Sequence, residues 1–137
     1  MLWQTPGAGE HHVAELFSGG HRERAARMVE WGIPEPTAGE VASAQGPEMG
    51  KAILALYRSI PPAVLLERGT DLPAAAAKPG LVPVATEDVT TGSVALRHRA
   101  ARRAGARAVD LDGLGHWWML EDPARSARLL VDFWDGV

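Results

Sequence analysis

The pattern of apolar and polar positions changes near residue 80. Up to about residue 60, apolar residues recur at helical spacing between breaks rich in Gly and Pro, which predicts several short helices. The strongest of these begins at Pro47, a residue suited to a first helical position because the amide hydrogen it lacks has no partner there. Its predicted apolar face consists of Met49, Ile53, Leu56, Tyr57 and Ile60. Residues 61–78, which open on two prolines and contain an alanine run, are predicted to form a connecting loop.

Residues 79–137 follow a different rhythm. The apolar run 81–85 predicts a buried strand, and the alternating run 106–111 predicts a second strand covered on one face. A helix over 93–104 is predicted between them, with Thr90 or Thr91 as its cap. A last helix begins at Asp122-Pro123, and its apolar stripe is predicted to place four side chains against the core: Ala127, Leu130, Val131 and Trp134. Strand, helix, strand, helix predicts an α/β fold with two parallel strands and flanking helices, preceded by the helical segment 1–60.

Composition narrows the possible classes of protein. The chain has 137 residues, 46% of them hydrophobic and 23% charged, as is typical of one globular domain. A net charge of −3 gives no basic surface for nucleic acid, and the lack of cysteine excludes disulfides and a thiolate nucleophile. The first residues do not have the pattern of a signal peptide, and no apolar run is long enough to span a membrane, so a cytoplasmic protein is expected.

Two side chains follow the ends of the predicted strands. Asp88 lies three residues after the first strand, and His116 lies in the loop after the second, 28 residues further along. Adjacent parallel strands bring both loops to one edge of the sheet, where proteins of this class place their sites. A carboxylate there can orient an imidazole and leave its second nitrogen free to accept a proton. The pair is therefore predicted to be the acid and base of a nucleophile–base–acid triad, with Glu87 as the alternative acid.

Residues 113–123, GLGHWWMLEDP, resemble the segment of α/β-hydrolases that contains the catalytic histidine and the acidic-Pro start of the final helix. Residues 81–89 resemble the seventh strand and acid loop of that family, L-V-x-x-G-x-x-D, with Ala85 in place of the glycine and Asp88 at the acid position. Residues 1–60 are similar to the helical cap that many members insert. Pro83 departs from the pattern, because it removes a backbone donor from a strand that is central in the complete fold.

The resemblance implies a hydrolase of a small organic substrate, such as an ester or amide, without cofactor or metal. It also implies Asp88 and His116 as catalytic residues and makes Trp117 and Trp118 candidates for the substrate pocket. Packing beneath the last helix is an equal alternative for at least one of these tryptophans. Neither a nucleic-acid nor a membrane partner is expected.

The nucleophile that the family places before the acid has no counterpart in the chain. No G-x-S-x-G occurs, and none of the five serines has the required flanking glycines: Ser18, Ser43, Ser59, Ser93 and Ser126. The nucleophile of the complete protein, Ser or Asp, therefore stays open, and the chain is predicted to be a fragment that is inactive alone. The alternatives are half of a split hydrolase, completed by an N-terminal half, and a non-enzymatic helical scaffold or interaction module with a hydrolase-like tail.

Two clusters of acids and histidines invite comparison with metal sites. Glu10, His11 and His12, with Glu15 nearby, lack the H-E-x-x-H spacing, and adjacent helical residues point about 100° apart, so a solvated helix start is expected. Asp110 and Asp112 near His116 are expected to be turn residues. No metal site is predicted.

Overall fold

The computed structural model describes residues 2–137, which form two compact units divided between Glu67 and Arg68. The boundary lies within the segment 61–78. The first unit contains a short 3-10 helix, Leu2–Gln4, and four α-helices: α1 (Ala8–Leu16), α2 (His21–Glu30), α3 (Thr37–Ala44) and α4 (Pro47–Ser59). A fifth helix, α5 (Pro62–Arg68), ends at the boundary.

The core of the first unit is made of small and medium apolar side chains. Its buried members are Val13, Ala25, Met28, Ile33, Ala38 and Ala42. Helix α4 begins at Pro47 as predicted, and it crosses α1 at Gly50, where any larger side chain would collide with Val13. The predicted apolar face of α4 is mostly exposed: only Ile53 is half-buried, whereas Met49, Leu56, Tyr57 and Ile60 are exposed.

Residues 61–78 are not the loop that the sequence predicted. After α5, residues Gly69–Ala77 form a 3-10 helix. Pro62 begins α5, where a proline is tolerated because it needs no amide partner, so the two prolines start a helix as well as ending one. The alanine run favours a helix because an alanine side chain loses no conformational entropy when the helix forms.

The second unit is built on two parallel strands, β1 (Leu81–Ala85) and β2 (Arg107–Leu111), paired in register from Leu81 with Arg107 to Ala85 with Leu111. Helix α6 (Val94–Arg103) connects them, and α7 (Trp118–Glu121) and α8 (Pro123–Trp134) follow. The chain is therefore mostly helical with a small parallel sheet, which is compatible with a partial α/β fold. Val84, Ala85, Ala101 and Leu111 are buried at its centre.

The backbone nitrogen of Pro83, which carries no hydrogen, faces away from β2. The Gly80 carbonyl accepts from the Arg107 amide at 2.8 Å, and the Thr86 amide donates to the Leu111 carbonyl at 3.2 Å, so even-numbered residues of this segment face β2. Because backbone groups alternate along a strand, Pro83 faces the opposite edge. Within residues 2–137 that edge has no partner strand, and the proline removes no bond from the β1–β2 ladder.

Helix α8 packs on a different side from the one predicted. Ser126 is buried and Leu129, Leu130 and Phe133 are half-buried, whereas Val131 is 49% and Trp134 61% exposed. The expectation that Ala127, Val131 and Trp134 belong to the core is wrong, and only Leu130 of the predicted stripe is half-buried. The contacting side is rotated by one residue, and the polar Ser126 is accommodated on it because its hydroxyl donates to the Trp118 carbonyl at 3.0 Å.

No single helix among the described residues has the length and apolar composition to cross a membrane. The successive helical segments Pro47–Ser59 and Pro62–Ala77 reach those limits only when they are taken together.

Candidate active site

The loops that follow β1 and β2 are joined by two hydrogen bonds at the carboxyl edge of the sheet. The Glu87 amide donates to the Leu114 carbonyl at 2.9 Å, and the Gly113 amide donates to the Thr86 hydroxyl at 2.9 Å. These contacts extend the strand pairing past Ala85 and Leu111. They hold the loop that contains Asp88 against the loop that contains His116.

Asp88 and His116 meet where these loops join. The imidazole Nδ1 of His116 lies 3.2 Å from Oδ2 of Asp88. The carboxylate is buried, with 7% of its side chain exposed, whereas the imidazole is 41% exposed. The structure thus brings Asp88 and His116 together at the sheet edge, as the order of the strands predicted, with the carboxylate buried and the imidazole accessible. The alternative acid, Glu87, is exposed.

Two threonines complete the surroundings of the carboxylate. The Thr90 amide and hydroxyl both donate to Oδ1 at 2.7 Å, and the Thr91 hydroxyl donates to Oδ2 at 2.6 Å. The sequence had suggested these residues as caps of α6. Ser93 caps that helix instead, by accepting from the Leu96 amide at 3.3 Å. An amide and a hydroxyl two residues after an Asp are typical of an Asx turn, so the sequence contained a local signal for this contact.

These donors keep Asp88 ionised. Burial raises the pKa of the carboxyl, but the hydrogen bonds from the Thr91 and Thr90 hydroxyls, the Thr90 amide and His116 outweigh it. Together they hold the pKa of Asp88 well below its usual range. An ionised carboxylate only accepts hydrogen bonds, so it favours a protonated Nδ1 on the neighbouring imidazole.

Arg97 is a further site residue that sequence reasoning missed. It lies on α6, and its guanidinium donates to the carbonyls of Ala85 at 2.7 Å and Asp88 at 3.1 Å. Nη1 also lies 3.7 Å from Oδ2 of Asp88, and only 12% of the side chain is exposed. The Arg-rich composition of α6 concealed this residue, because an amphipathic pattern does not show which of several arginines turns inward.

The histidine loop is held by a glutamate and flanked by aromatic rings. The Gly115 amide donates to the Glu121 carboxylate at 2.7 Å. The Trp117 ring meets the His116 ring edge-on, with centroids 5.0 Å apart. A shallow cavity of about 250 Å³ lies beside the pair, and both tryptophans line it together with Pro83, Asp88, Arg97, His116 and Met119.

This geometry is suited to proton transfer. When Nδ1 donates to the buried carboxylate, the ring is held in place and the lone pair of Nε2 is free to accept a proton. Neither serine of the second unit is placed as its nucleophile, since Ser93 caps α6 and the buried Ser126 binds the Trp118 carbonyl.

The acids and histidines of the two clusters compared with metal sites contact other side chains instead. Glu10 pairs with Arg58 at 2.7 Å, and His11 lies 3.3 Å from Glu15. Asp110 lies 2.8 Å from His98, which is half-buried against β2. In the part of the chain that the structure describes, no three acids or histidines are grouped closely enough to bind a metal ion.

Comparisons with protein-family models, with curated proteins and with solved structures found no match to the chain.

Proposed function

We propose that Asp88 and His116 are the acid and base of a nucleophile–His–acid triad of the α/β-hydrolase type. The observation that carries the proposal is the 3.2 Å contact between Nδ1 of His116 and Oδ2 of Asp88, at the edge where two parallel strands end. A buried, ionised carboxylate stabilises the imidazolium that forms when Nε2 accepts the proton of a nucleophile. That is the task of the acid in a triad.

The proposed substrate is a small organic ester or amide. The cavity beside His116 is mostly apolar, with Trp117, Trp118 and Met119 in its wall, which suits an uncharged acyl or alkyl group. Trp117 and Trp118 are therefore proposed as pocket residues, and no step of the reaction needs a cofactor.

The nucleophile is proposed to come from a polypeptide segment that is not part of this chain. The chain lacks the G-x-S-x-G motif, and the oxyanion donors that accompany the motif are lost with it. The chain alone is therefore proposed to be inactive toward esters, and the nucleophile of the complete site is a Ser or an Asp.

An ester hydrolysis assay on the purified chain tests this inactivity. We expect no turnover of p-nitrophenyl acyl esters beyond that of the His116→Ala variant. His98→Ala is the matched control, because His98 also pairs with an aspartate, at 2.8 Å from Asp110. Turnover by the native chain that His116→Ala abolishes and His98→Ala retains would overturn the claim that the chain is inactive alone.

The triad itself is tested by supplying the missing nucleophile. The DNA that precedes the Met1 codon is read in every frame for a segment that contains a nucleophile motif such as G-x-S-x-G. That segment is then expressed together with the chain. We expect esterase activity that Asp88→Asn or His116→Ala lowers by about 10⁴ and that His98→Ala leaves unchanged. Activity insensitive to His116→Ala would refute the triad, and non-coding upstream sequence would favour the interaction module over an enzyme.

A further inference from the structure

The hydroxyl of Thr90 forms a second connection between the two members of the pair. Its Oγ1 lies 2.7 Å from Nδ1 of His116 and 2.7 Å from Oδ1 of Asp88. The direct contact of Nδ1 with Oδ2 of Asp88 is longer, at 3.2 Å. Each of the two hydrogen bonds that connect imidazole and carboxylate through the threonine is therefore shorter than the direct contact.

Only one arrangement of protons satisfies all of these contacts. A threonine hydroxyl has one proton to donate and lone pairs to accept with, whereas an ionised carboxylate can only accept. If the Thr90 proton is donated to Oδ1, then Oγ1 must accept from His116, and Nδ1 must be protonated. If the proton were donated to Nδ1 instead, the nitrogen would be an acceptor, and its remaining short contact with Oδ2 would join two acceptors.

The backbone fixes Thr90 in this place. Its amide donates to the same Oδ1 atom at 2.7 Å, so the carboxylate holds both the main chain and the side chain of the residue. Thr91 is a natural comparison, because its hydroxyl donates to the other carboxylate oxygen, Oδ2, at 2.6 Å.

We propose that Thr90 is a positioning residue that holds His116 in the tautomer with the proton on Nδ1 and the lone pair on Nε2. The hydroxyl acts as a relay: it accepts from Nδ1 and donates to Oδ1 of Asp88. The use of this tautomer in catalysis rests on the proposed function, whereas the tautomer itself is a property of the folded chain.

The test is the tautomer of His116, read from the imidazole ¹⁵N chemical shifts of histidine-labelled protein at the high-pH plateau of its titration. His116→Gln assigns the signals. We expect the Nδ1–H form to predominate in the native chain and in Thr90→Ser, which retains the hydroxyl. In the isosteric Thr90→Val the ratio of Nδ1–H to Nε2–H should fall about tenfold, as the loss of one hydrogen bond to a polar partner predicts. Thr91→Val should keep the native ratio.

Each result decides the proposal. A native chain in which the Nε2–H form predominates overturns it without any variant, and so does a Thr90→Val variant with the native ratio. A Thr90→Ser variant that behaves like Thr90→Val would show that the methyl group matters and not the hydroxyl. These outcomes are separate from the esterase assays: a native tautomer that depends on Thr90, together with activity insensitive to His116→Ala, would refute the triad and retain the positioning role.

Discussion

The guanidinium of Arg97 donates a hydrogen bond to the carbonyl oxygen of Ala85 over 2.7 Å. This carbonyl belongs to an odd-numbered residue of β1 and so points away from β2. The same guanidinium binds the Asp88 carbonyl at 3.1 Å. Arg97 therefore joins the end of β1 to the acid loop and compensates part of the charge buried at Asp88.

Loss of the Arg97 guanidinium should destabilise the second unit. We expect Arg97→Met, which retains much of the side-chain length, to lower the free energy of unfolding by about 2–3 kcal/mol, since buried carbonyls lose a charged donor. Urea denaturation measures the change. Arg99→Met is the control, because Arg99 is exposed on the same helix. Equal effects of the two substitutions would contradict the role assigned to Arg97.

The depressed pKa of Asp88 makes stability depend on pH in a defined direction. A carboxyl whose pKa is lower in the folded than in the unfolded chain binds fewer protons when folded, so its stabilisation is present above the unfolded pKa of about 3.9. The stabilisation is lost as the pH falls through the folded pKa. We expect the unfolding free energy to decline below about pH 4, and Asp88→Asn to flatten that decline.

At neutral pH the same Asp88→Asn variant should be less stable by about 2 kcal/mol, because hydrogen bonds to a charged acceptor become bonds to a neutral one. Denaturation over a pH series measures both effects. A variant whose decline below pH 4 is as steep as that of the native chain would show that other carboxyls are responsible.

The orientation of Pro83 predicts the behaviour of the open edge of β1. Pro83→Val restores an amide that points away from β2 and adds a donor to an edge that another strand can pair with. We expect the variant to self-associate at lower concentration than the native chain, as measured by light scattering and sedimentation velocity. Pro79→Val, which restores an amide before the strand begins, should behave like the native chain. Unchanged association of Pro83→Val would mean that the edge is protected by other means.

The ion pair between Glu10 and Arg58 lowers the pKa of the Glu10 carboxyl, and this can be tested by titration. The hydrogen bonds of Arg58, at 2.7 and 2.9 Å, are the main cause that lowers the pKa of Glu10 from 4.5 to about 2. In Arg58→Gln we expect the pKa of Glu10 to rise toward its usual value, and NMR titration of the carboxyl carbon measures it. Lys51→Gln is the control, because Lys51 pairs with Glu48. The native pair should stabilise the fold above about pH 4.5 and lose that effect toward pH 2.

Much of the second unit could be predicted from local signals. The apolar run 81–85 and the alternation before Leu111 identified both strands, and Asp122-Pro123 identified the start of α8, where Asp122 accepts from the Arg125 amide at 2.9 Å. The placement of Asp88 beside His116 followed from the strand order alone, since parallel neighbours bring their carboxyl ends together. Their catalytic role stays a prediction.

Other features could not be predicted from apolar periodicity or from turn residues alone. The stripe of apolar residues in α8 shows that one side can pack, yet it does not show what covers that side, and Trp134 is exposed. The pair Pro61-Pro62 indicates the end of one helix but does not show that Pro62 begins the next. Thr90 and Thr91 were assigned to a helix cap because both hydroxyls suit that role equally well.

By itself, the sequence determined the strand–helix–strand order, the parallel pairing and the edge at which an acid and a base meet, because hydrophobic periodicity and strand connectivity depend on the chain alone. Only the tertiary structure decided which arginine turns inward and which edge of β1 Pro83 faces. Those choices depend on the distances between residues far apart in sequence, and small shifts of packing decide which of several chemically equivalent side chains makes the contact.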